Sequence, residues 1–512
     1  MSAVLFVSAE SSSLKGGKVG GVADVVGDVS KALANQGLTV HVVLPEYQCL
    51  ELEQREHCME FTVNFASEYL QINLYRVAQR DGVTHYVVSH PWLNSEHIYH
   101  DDADGRPFAA DASKFALFSL AVAEAINHDA FGHLDVLHLH DWHAASLAVL
   151  RAYAPQYQKL KSLRTVYTVH NLALQGTRPF SGDHSSLQHW YSWLGYDGER
   201  ICDRRFMHCY NPMRAGLQLS DTVHVVSPTY VDEVMQASDP SRGFIGGEGL
   251  EHDLQQAHTQ GRLIGILNGC DYETKQPRYT PEDMWSLSEN ALLSWMSKHA
   301  LLPSNHYIAH VRAQQWQRDG ITPWLTSVGR ITDQKVALLA QTYQGKLVID
   351  HVLSILAKHG KTCMILGSGD GYYEKVFNEA MGRHTNLIFF NGFALQLGDA
   401  IYQLGELFFM PSSFEPCGIS QMLAMRSGTP CLVHGVGGLK DTVKLNDNGF
   451  VFTGDSVEGQ IAAMLATLEQ SLTMFESKPK QWAHVCKSAK ASRFTWDDAA
   501  SSYLKQLYML NS

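Results

Sequence analysis

The sequence predicts an α/β protein built as two doubly wound lobes facing a central cleft, and three observations carry that expectation. The chain has 512 residues, too many for one ordinary hydrophobic core, so two lobes are expected. It opens as strand, glycine-rich loop, helix, strand. Ala3–Ser8 reads as a buried strand, and Val22, Val25, Val26, Val29 and Leu33 then recur at helical spacing before an apolar run at Leu38–Leu44. Such a βαβ opening favours a parallel sheet. A second series of alternating elements starts near Leu325, with expected strands at Leu325–Val328, Cys363–Leu366, Leu387–Phe390, Leu407–Met410 and Cys431–Val433.

The first series continues with expected strands at Val136–Leu139, Thr165–Val169 and Thr222–Val226. Between the two series, the stretch from about Asp271 to Gly320 reads as irregular, polar and Trp-bearing. The tail Trp496–Leu510 reads as helical, with no periodicity that assigns it to either lobe. The lobes are expected at 1–262 and 263–491. In doubly wound sheets ligands bind beyond the carboxyl ends of the strands, so residues that follow strands are the functional candidates.

Composition excludes several classes of partner. The formal net charge is -12 and no basic run is long enough to track a phosphate backbone, which argues against nucleic acid. No apolar run approaches the roughly 20 residues that a membrane span needs. The short apolar start, Ala3 to Val7, lacks the basic leader of a signal peptide. Nine scattered cysteines without a CxxC pair read as reduced thiols rather than a thiolate metal site. A cytoplasmic protein is expected.

Several constellations follow expected strands. Lys15-Gly-Gly-Lys-Val-Gly-Gly21 precedes the first helix, where glycines let a ligand approach backbone N–H groups. It matches neither GxGxxG nor a P-loop, since Val19 follows Lys18, and a flexible surface turn is the plain alternative. Asp24 reads as a cleft carboxylate or as an early-helix charge favoured by the dipole. In His138-Leu-His-Asp-Trp-His143, three histidines invite a metal, but Asp141 and His143 as sugar-hydroxyl partners fit better, with Trp142 packing. His138 also reads as a satisfied core histidine. Thr168-Val-His-Asn171, followed by Gln175-Gly176, offers donors and acceptors suited to a sugar ring in His170 and Asn171. His100-Asp-Asp-Ala-Asp-Gly105 misses an EF-hand loop at its first position and at Asp111, its twelfth, and reads as a solvated acidic loop.

The C-terminal half carries the strongest signal. Arg330 ends a strand and Lys335 follows five residues on. Two cations at a cleft mouth can neutralise a diphosphate leaving group without a metal, and an ordinary surface arginine and lysine are the plain alternative. Pro411-Ser-Ser-Phe-Glu-Pro-Cys-Gly418 leads into a helix beginning near Ile419, whose first N–H groups point toward a phosphate. Glu415 is left beside that phosphate, which is costly unless it binds hydroxyls or a developing cation.

With these residues the chain resembles the bacterial glycogen synthases and plant starch synthases, the retaining glycosyltransferase family five. The resemblance rests on an ordered set of motifs: Lys18 to Val25, His140 to His143, Thr168 to Asn171, Val226 to Tyr230, Gly265 to Asp271, Arg330 with Gln334-Lys335, Pro411 to Gly418 and Gly437 to Val443. It implies the GT-B fold of two Rossmann-like lobes, an acceptor lobe on the N-terminal side and a donor lobe on the C-terminal side. A last helix, about 492–512, would cross back onto the first lobe, and neither metal nor cofactor would be needed. It also implies transfer of glucose, with retention, from a nucleotide-sugar donor, ADP-glucose being favoured, to the non-reducing end of an α-1,4-glucan acceptor. Residue by residue, Arg330 and Lys335 would hold the diphosphate and Glu415 the donor glucose, with Cys417, Gly418 and Ser420 lining the phosphates. His170 would bind glucose and, as a catalytic residue, accept or relay hydrogen bonds at the reacting centre. Lys18 and Gly21 would approach the diphosphate when the lobes close, and Phe393 would stand against the base. Asn268, Gly437 and Gly438 fall within the shared motifs and are expected at the substrate, as are Asp24, Asp141, His143 and Asn171.

The chain departs from the family pattern at Val336, where glycine is usual, and at His434, where arginine is usual. A Trp is missing from Tyr272–Pro277, and Leu301–Trp324 is longer than expected. Two other readings remain open on sequence alone. One is a related retaining transferase with another acceptor, and the other a catalytically impaired glucan-binding or regulatory homologue.

Overall fold

The computed structural model describes residues 2–100, 109–272, 277–298, 301 and 303–510. The chain forms two compact units. One comprises Met1–Ser238, Gly246–Gly269 and Thr495–Ser512, and the other Asp239–Ile245 and Cys270–Phe494. The acidic stretch at residues 101–108 and most of the Tyr272–Pro277 segment lie outside the described residues.

Among the described residues, the first unit holds a nine-stranded sheet. Its strands are β1 (Ala3–Val7), β2 (Thr39–Pro45), β3 (Glu56–Phe65), β4 (Glu68–Arg80), β5 (Val83–Ser89), β6 (Val136–His140) and β7 (Arg164–Val169); after a small pair, β8 (Arg178–Pro179) and β9 (Cys209–Tyr210), come β10 (Thr222–Val225) and β11 (Leu263–Gly265). The order is β11-β10-β7-β6-β1-β2-β5-β4-β3. It is parallel from β11 to β5, with β3 and β4 added antiparallel at one edge. Chain direction through the sheet therefore reverses at β1, between β2 and β6. The first helix, Gly21–Asn35, buries Val25, Val26, Val29 and Leu33 as its spacing predicts, while Val22 is half-buried.

In the second unit β12 (Leu325–Val328) is followed by a short hairpin, β13 (Thr342–Tyr343) and β14 (Lys346–Leu347). Then come β15 (Cys363–Gly367), β16 (Leu387–Asn391), β17 (Leu407–Met410), β18 (Cys431–His434) and β19 (Gly449–Phe452). The six-stranded sheet runs β16-β15-β12-β17-β18-β19, parallel throughout. Counted within the unit this is order 3-2-1-4-5-6, which places a topological switch point between β12 and β17.

One expectation is corrected. The stretch from Asp271 to Gly320 is not irregular: it contains helices Pro281–Met296 and Ser304–Arg318. The first starts at a capping box of Thr280 and Asp283 with proline at its first turn. The second buries Ala309, Ala313 and Trp316, and its Arg312 donates to the carbonyls of Met381, His384 and Leu387. The first two bonds satisfy carbonyls at the end of helix Gly371–Arg383, and the third reaches the first residue of β16. The extra length of residues 301–324 is thus a helix packed on the second unit. Val336 is likewise a core residue, on the buried face of helix Asp333–Ala340.

The tail belongs to the first unit. Helix Trp496–Ser502 and the wider turn Tyr503–Tyr508 pack on helix Gly21–Asn35 and on the sheet, and the Leu507 carbonyl accepts from Arg164. Its anchor is a buried chain of hydrogen bonds whose direction is fixed from one end. The Ile266 carbonyl only accepts, so His224 Nε2 donates to it at 3.3 Å. His224 Nδ1 then accepts from the Thr168 hydroxyl at 3.0 Å, and that hydroxyl accepts from His138 Nε2 at 2.6 Å. His138 Nδ1 is left to accept from the Tyr508 hydroxyl at 2.8 Å. His138 is therefore the satisfied core histidine, pinning the tail. Replacing Tyr508 with Phe leaves that buried nitrogen unpaired, and denaturant unfolding should show the first unit's transition destabilised by about 1–3 kcal/mol; an unchanged midpoint contradicts the anchor.

Candidate functional site

At the switch point of the first sheet, the loops after β1 and β6 leave adjacent strand ends. The glycine-rich loop after β1 is shaped by Glu10, a buried carboxylate that the sequence reading missed. Its Oε2 accepts the N–H groups of Val19 and Gly20 at 2.7 and 2.6 Å, and its Oε1 accepts the hydroxyl of Tyr99 at 2.6 Å. Lys18 is exposed and pairs with Asp24 of the first helical turn at 2.7 Å. Gly21, the first residue of that helix, is exposed too.

After β6 the three histidines go separate ways. His138 belongs to the tail anchor, and His143 packs its ring against Trp142, Phe115 and Tyr99. His140 Nδ1 lies 2.9 Å from His170 Nε2. Asp141 starts the next helix with a positive φ of 53°, a region non-glycine residues rarely adopt. There its Oδ1 accepts the backbone N–H of His170 at 2.8 Å. Burial raises the Asp141 carboxyl to about 7, with backbone N–H groups of His170 and Asn171 opposing the rise. Asn171 turns its side-chain oxygen to the Ala173 N–H. Asn268, beyond β11, is 6% exposed, and its amide oxygen has no hydrogen-bond partner among the described residues. It keeps its full capacity for a hydroxyl donor.

In the second unit, the switch point brings Arg330, just beyond β12, and the loop Pro411–Gly418, just beyond β17, to neighbouring strand ends. Arg330 is exposed and, among the described residues, lies in no salt bridge. Lys335, in the first turn of helix Asp333–Ala340, forms an ion pair with Glu415, whose Oε2 also accepts the Ser412 hydroxyl at 3.1 Å. Gln334 clamps this helix to the loop: its side-chain amide donates to the Phe414 carbonyl and its backbone carbonyl accepts the Ser413 N–H, both at 2.9 Å.

The loop is held from behind by glycines and by Gln421. Gly418 has a φ of +74° and Gly437 of +42°, and a Cβ on Gly437 would meet the Glu415 carbonyl at 2.0 Å. Gly438 presses on the Cys417 backbone in the same way. Gln421 donates to the carbonyls of Cys417 and Gly418. Cys417 is buried, and Ser420 opens helix Ser420–Ser427 with its hydroxyl accepting from Tyr402. His434 takes the place of the usual arginine as a neutral group. Burial lowers it to about 4, its Nδ1 donates to the Ser412 carbonyl at 3.0 Å, and its ring stacks on Phe452. Phe393, beyond β16, is 76% exposed, an aromatic face available to a ligand ring.

The family described as starch synthase catalytic domain matches residues 3–256, and that described as glycosyl transferases group 1 matches residues 322–470. The catalytic domain of starch synthase IV from Arabidopsis thaliana, solved with ADP and acarbose, has a similar fold. Its TM-score is 0.75 at 23% identity, with 99% of this chain and 98% of that one covered. Sucrose-phosphate synthase from Thermosynechococcus elongatus gives a TM-score of 0.56 at 15% identity, with the same coverage. The chain is thus a glycosyltransferase of the two-lobe GT-B fold. The glycogen synthase of Streptococcus agalactiae serotype III is 31% identical over 519 residues, covering 99% of both chains. That of Exiguobacterium sibiricum is 34% identical over 96% of both. The chain belongs to the glycogen and starch synthase family. No helix among the described residues is long and apolar enough to cross a membrane.

Buried neutral histidines make the first unit acid-labile. Burial lowers His143 and His170 to about 3 and His224 to about 4, and holds His138 and His140 well below the usual range. Below about 6.5 the unfolded chain takes up protons at these five positions and the fold does not. Stability that is complete above pH 6.5 is therefore lost as pH falls, at about 1.4 kcal/mol per pH unit per histidine. Asp141 acts in the opposite direction, since its raised carboxyl favours the fold at acid pH and that gain fades toward about 7. Five groups outweigh one. The thermal midpoint of the first unit should fall steadily from pH 7 to pH 5; a flat profile contradicts this arrangement.

Proposed function

We propose that the enzyme transfers glucose from ADP-glucose to the non-reducing 4-hydroxyl of an α-1,4-glucan with retention at the anomeric carbon. The observation that carries this reading is the switch point of the second sheet, where Arg330 and Lys335 stand beside the Glu415 loop. ADP and acarbose, an oligosaccharide-like ligand, in the Arabidopsis starch synthase structure support the donor and acceptor classes.

In this reading the second unit takes the donor. Arg330 and Lys335 neutralise the diphosphate, and N–H groups at Cys417, Gly418 and Ser420 add to the positive field. Gly437 and Gly438 hold the loop in shape, and Phe393 offers its ring to the base. Pairing with Lys335 also removes the objection to a carboxylate at this position. Once the ammonium turns to the diphosphate, Glu415 is released to accept hydroxyls of the donor glucose. From the first unit, His170, Asn171, Asp141, His143, Asp24 and Asn268 address sugar hydroxyls, while the Lys18 ammonium and the Gly21 backbone N–H are donors suited to the diphosphate.

Retention usually calls for a carboxylate nucleophile on the opposite face. With the donor bound, Glu415 is taken up by hydroxyls of the donor glucose and by the Ser412 hydroxyl, and Asp141 is engaged by the His170 N–H. A same-face route fits better. The bond from C1 to the phosphate oxygen breaks, the bond from C1 to the acceptor O4 forms, and the O4 proton passes to the departing phosphate, leaving ADP. Arg330 and Lys335 stabilise the charge that develops there. Replacing Lys335 with Ala should therefore cost about 3 kcal/mol of barrier, roughly a hundredfold in turnover. The assay is nucleoside diphosphate release with glycogen, or maltose as alternative acceptor, and ADP-glucose or UDP-glucose as donor. Turnover within twofold of the parent would overturn the assignment of Lys335, and glucan binding with no turnover on either donor would overturn the function.

A further inference from the structure

His140 and His170 form a pair whose proton position is set by burial. Their rings are 22° from coplanar with centroids 5.2 Å apart, and His140 Nδ1 to His170 Nε2 is 2.9 Å. The contact is thus an in-plane N–H···N hydrogen bond and not a face-to-face stack. His140 is held in place by its faces, with Phe6 stacked at 5.3 Å and His138 at 4.5 Å. Its other nitrogen, Nε2, is buried and has no hydrogen-bond partner among the described residues.

A neutral imidazole carries one N–H, and both rings are kept neutral by burial. A proton on His140 Nε2 would be a buried donor with nothing to bond, which folded proteins avoid more strictly than an idle acceptor. The proton therefore sits on His140 Nδ1 and is donated to His170 Nε2. That nitrogen becomes the acceptor, so the proton of His170 must sit on Nδ1. His170 Nδ1 makes no hydrogen bond to the protein among the described residues, and the residue keeps 9% exposure at the strand end.

We infer that His140 is a positioning residue that locks His170 as the Nδ1–H tautomer, so that His170 meets a sugar hydroxyl as a hydrogen-bond donor to its oxygen. A lone pair is presented there only if the pair runs in reverse, which leaves a buried, unbonded proton on His140 Nε2, so His170 serves neither as a general base nor as a proton relay. The part of this inference that concerns a sugar rests on the proposed function; the tautomer itself does not.

Two readouts keep those parts separate. With the histidine rings labelled with nitrogen-15, two-bond proton–nitrogen spectra of the full-length protein should show His170 Nδ1 with the shift of a protonated ring nitrogen. Its Nε2 should carry the shift of an unprotonated one. The reverse assignment overturns the inference, whatever the enzyme acts on. In kinetics, His140→Leu should lower kcat about tenfold, the scale of one neutral hydrogen bond, with KM for glycogen little changed and mixed tautomers at His170. His140→Asn places an amide N–H where Nδ1 was and should recover most of that loss together with the single tautomer. A His140→Leu enzyme that keeps both the parent kcat and the parent tautomer overturns the positioning role. Should that variant fail to fold, the parent spectrum and the His140→Asn kinetics still decide the matter.

Discussion

Each sheet doubles back at its first strand, and that reversal determines where chemistry is possible. From β1 the chain steps outward through β2 and β5, then returns to the other side of β1 to lay down β6, β7, β10 and β11. From β12 it steps out through β15 and β16, then returns to β17. Crossovers on the two sides of a reversal cover opposite faces, so no crossover helix closes the gap beyond the two central strands. The loops that leave those strand ends carry Glu10 and Lys18 with His140 and Asp141 in the first unit, and Arg330 with Glu415 in the second. The polar residues of interest are gathered by connectivity, and the apolar strands beneath them supply the rigidity.

Charge in the second unit illustrates how such a gap stays folded when it holds two cations and an acid. Glu415 is buried, and an isolated buried carboxylate is costly. Lys335 and the Ser412 hydroxyl satisfy it, Gln334 ties the helix of Lys335 to the same loop, and His434 supports Ser412 from behind. Arg330 is left exposed with its charge available. The substitution of His434 for an arginine removes a formal charge yet keeps a donor to the loop, because burial keeps this imidazole neutral. Val336 is explained more simply, as a side chain pointing into the core.

Most of the parallel strands were legible because each is a short apolar run bounded by turn residues. The ends of those expected fall within a residue or two of the structure, while β5, β11 and β19 went unread. The edge strands β3 and β4 went unread although Phe61, Val63 and Phe65 alternate with polar residues, as do Leu70, Ile72 and Leu74. The helix at Pro281–Met296 was announced by Thr280-Pro-Glu-Asp283, a capping box overlooked amid polar surroundings. Motif residues at strand ends were identifiable from their order along the chain. Glu10 was not, nor was the role of His140, because what distinguishes them is a partner remote in sequence: Tyr99 for the one, His170 for the other. Nor does any local pattern say that Tyr508 reaches His138; the two lie 370 residues apart in the chain.

The central claim is that the gap beyond β12 and β17 receives a diphosphate. A crystal structure of the protein with ADP tests it most directly. The account predicts phosphate oxygens within hydrogen-bond distance of the Arg330 guanidinium and the Lys335 ammonium, with the Lys335–Glu415 pair opened and the first N–H groups of helix Ser420–Ser427 facing the nucleotide. A nucleotide bound elsewhere, with Arg330 in bulk solvent and Lys335 still paired to Glu415, would contradict it.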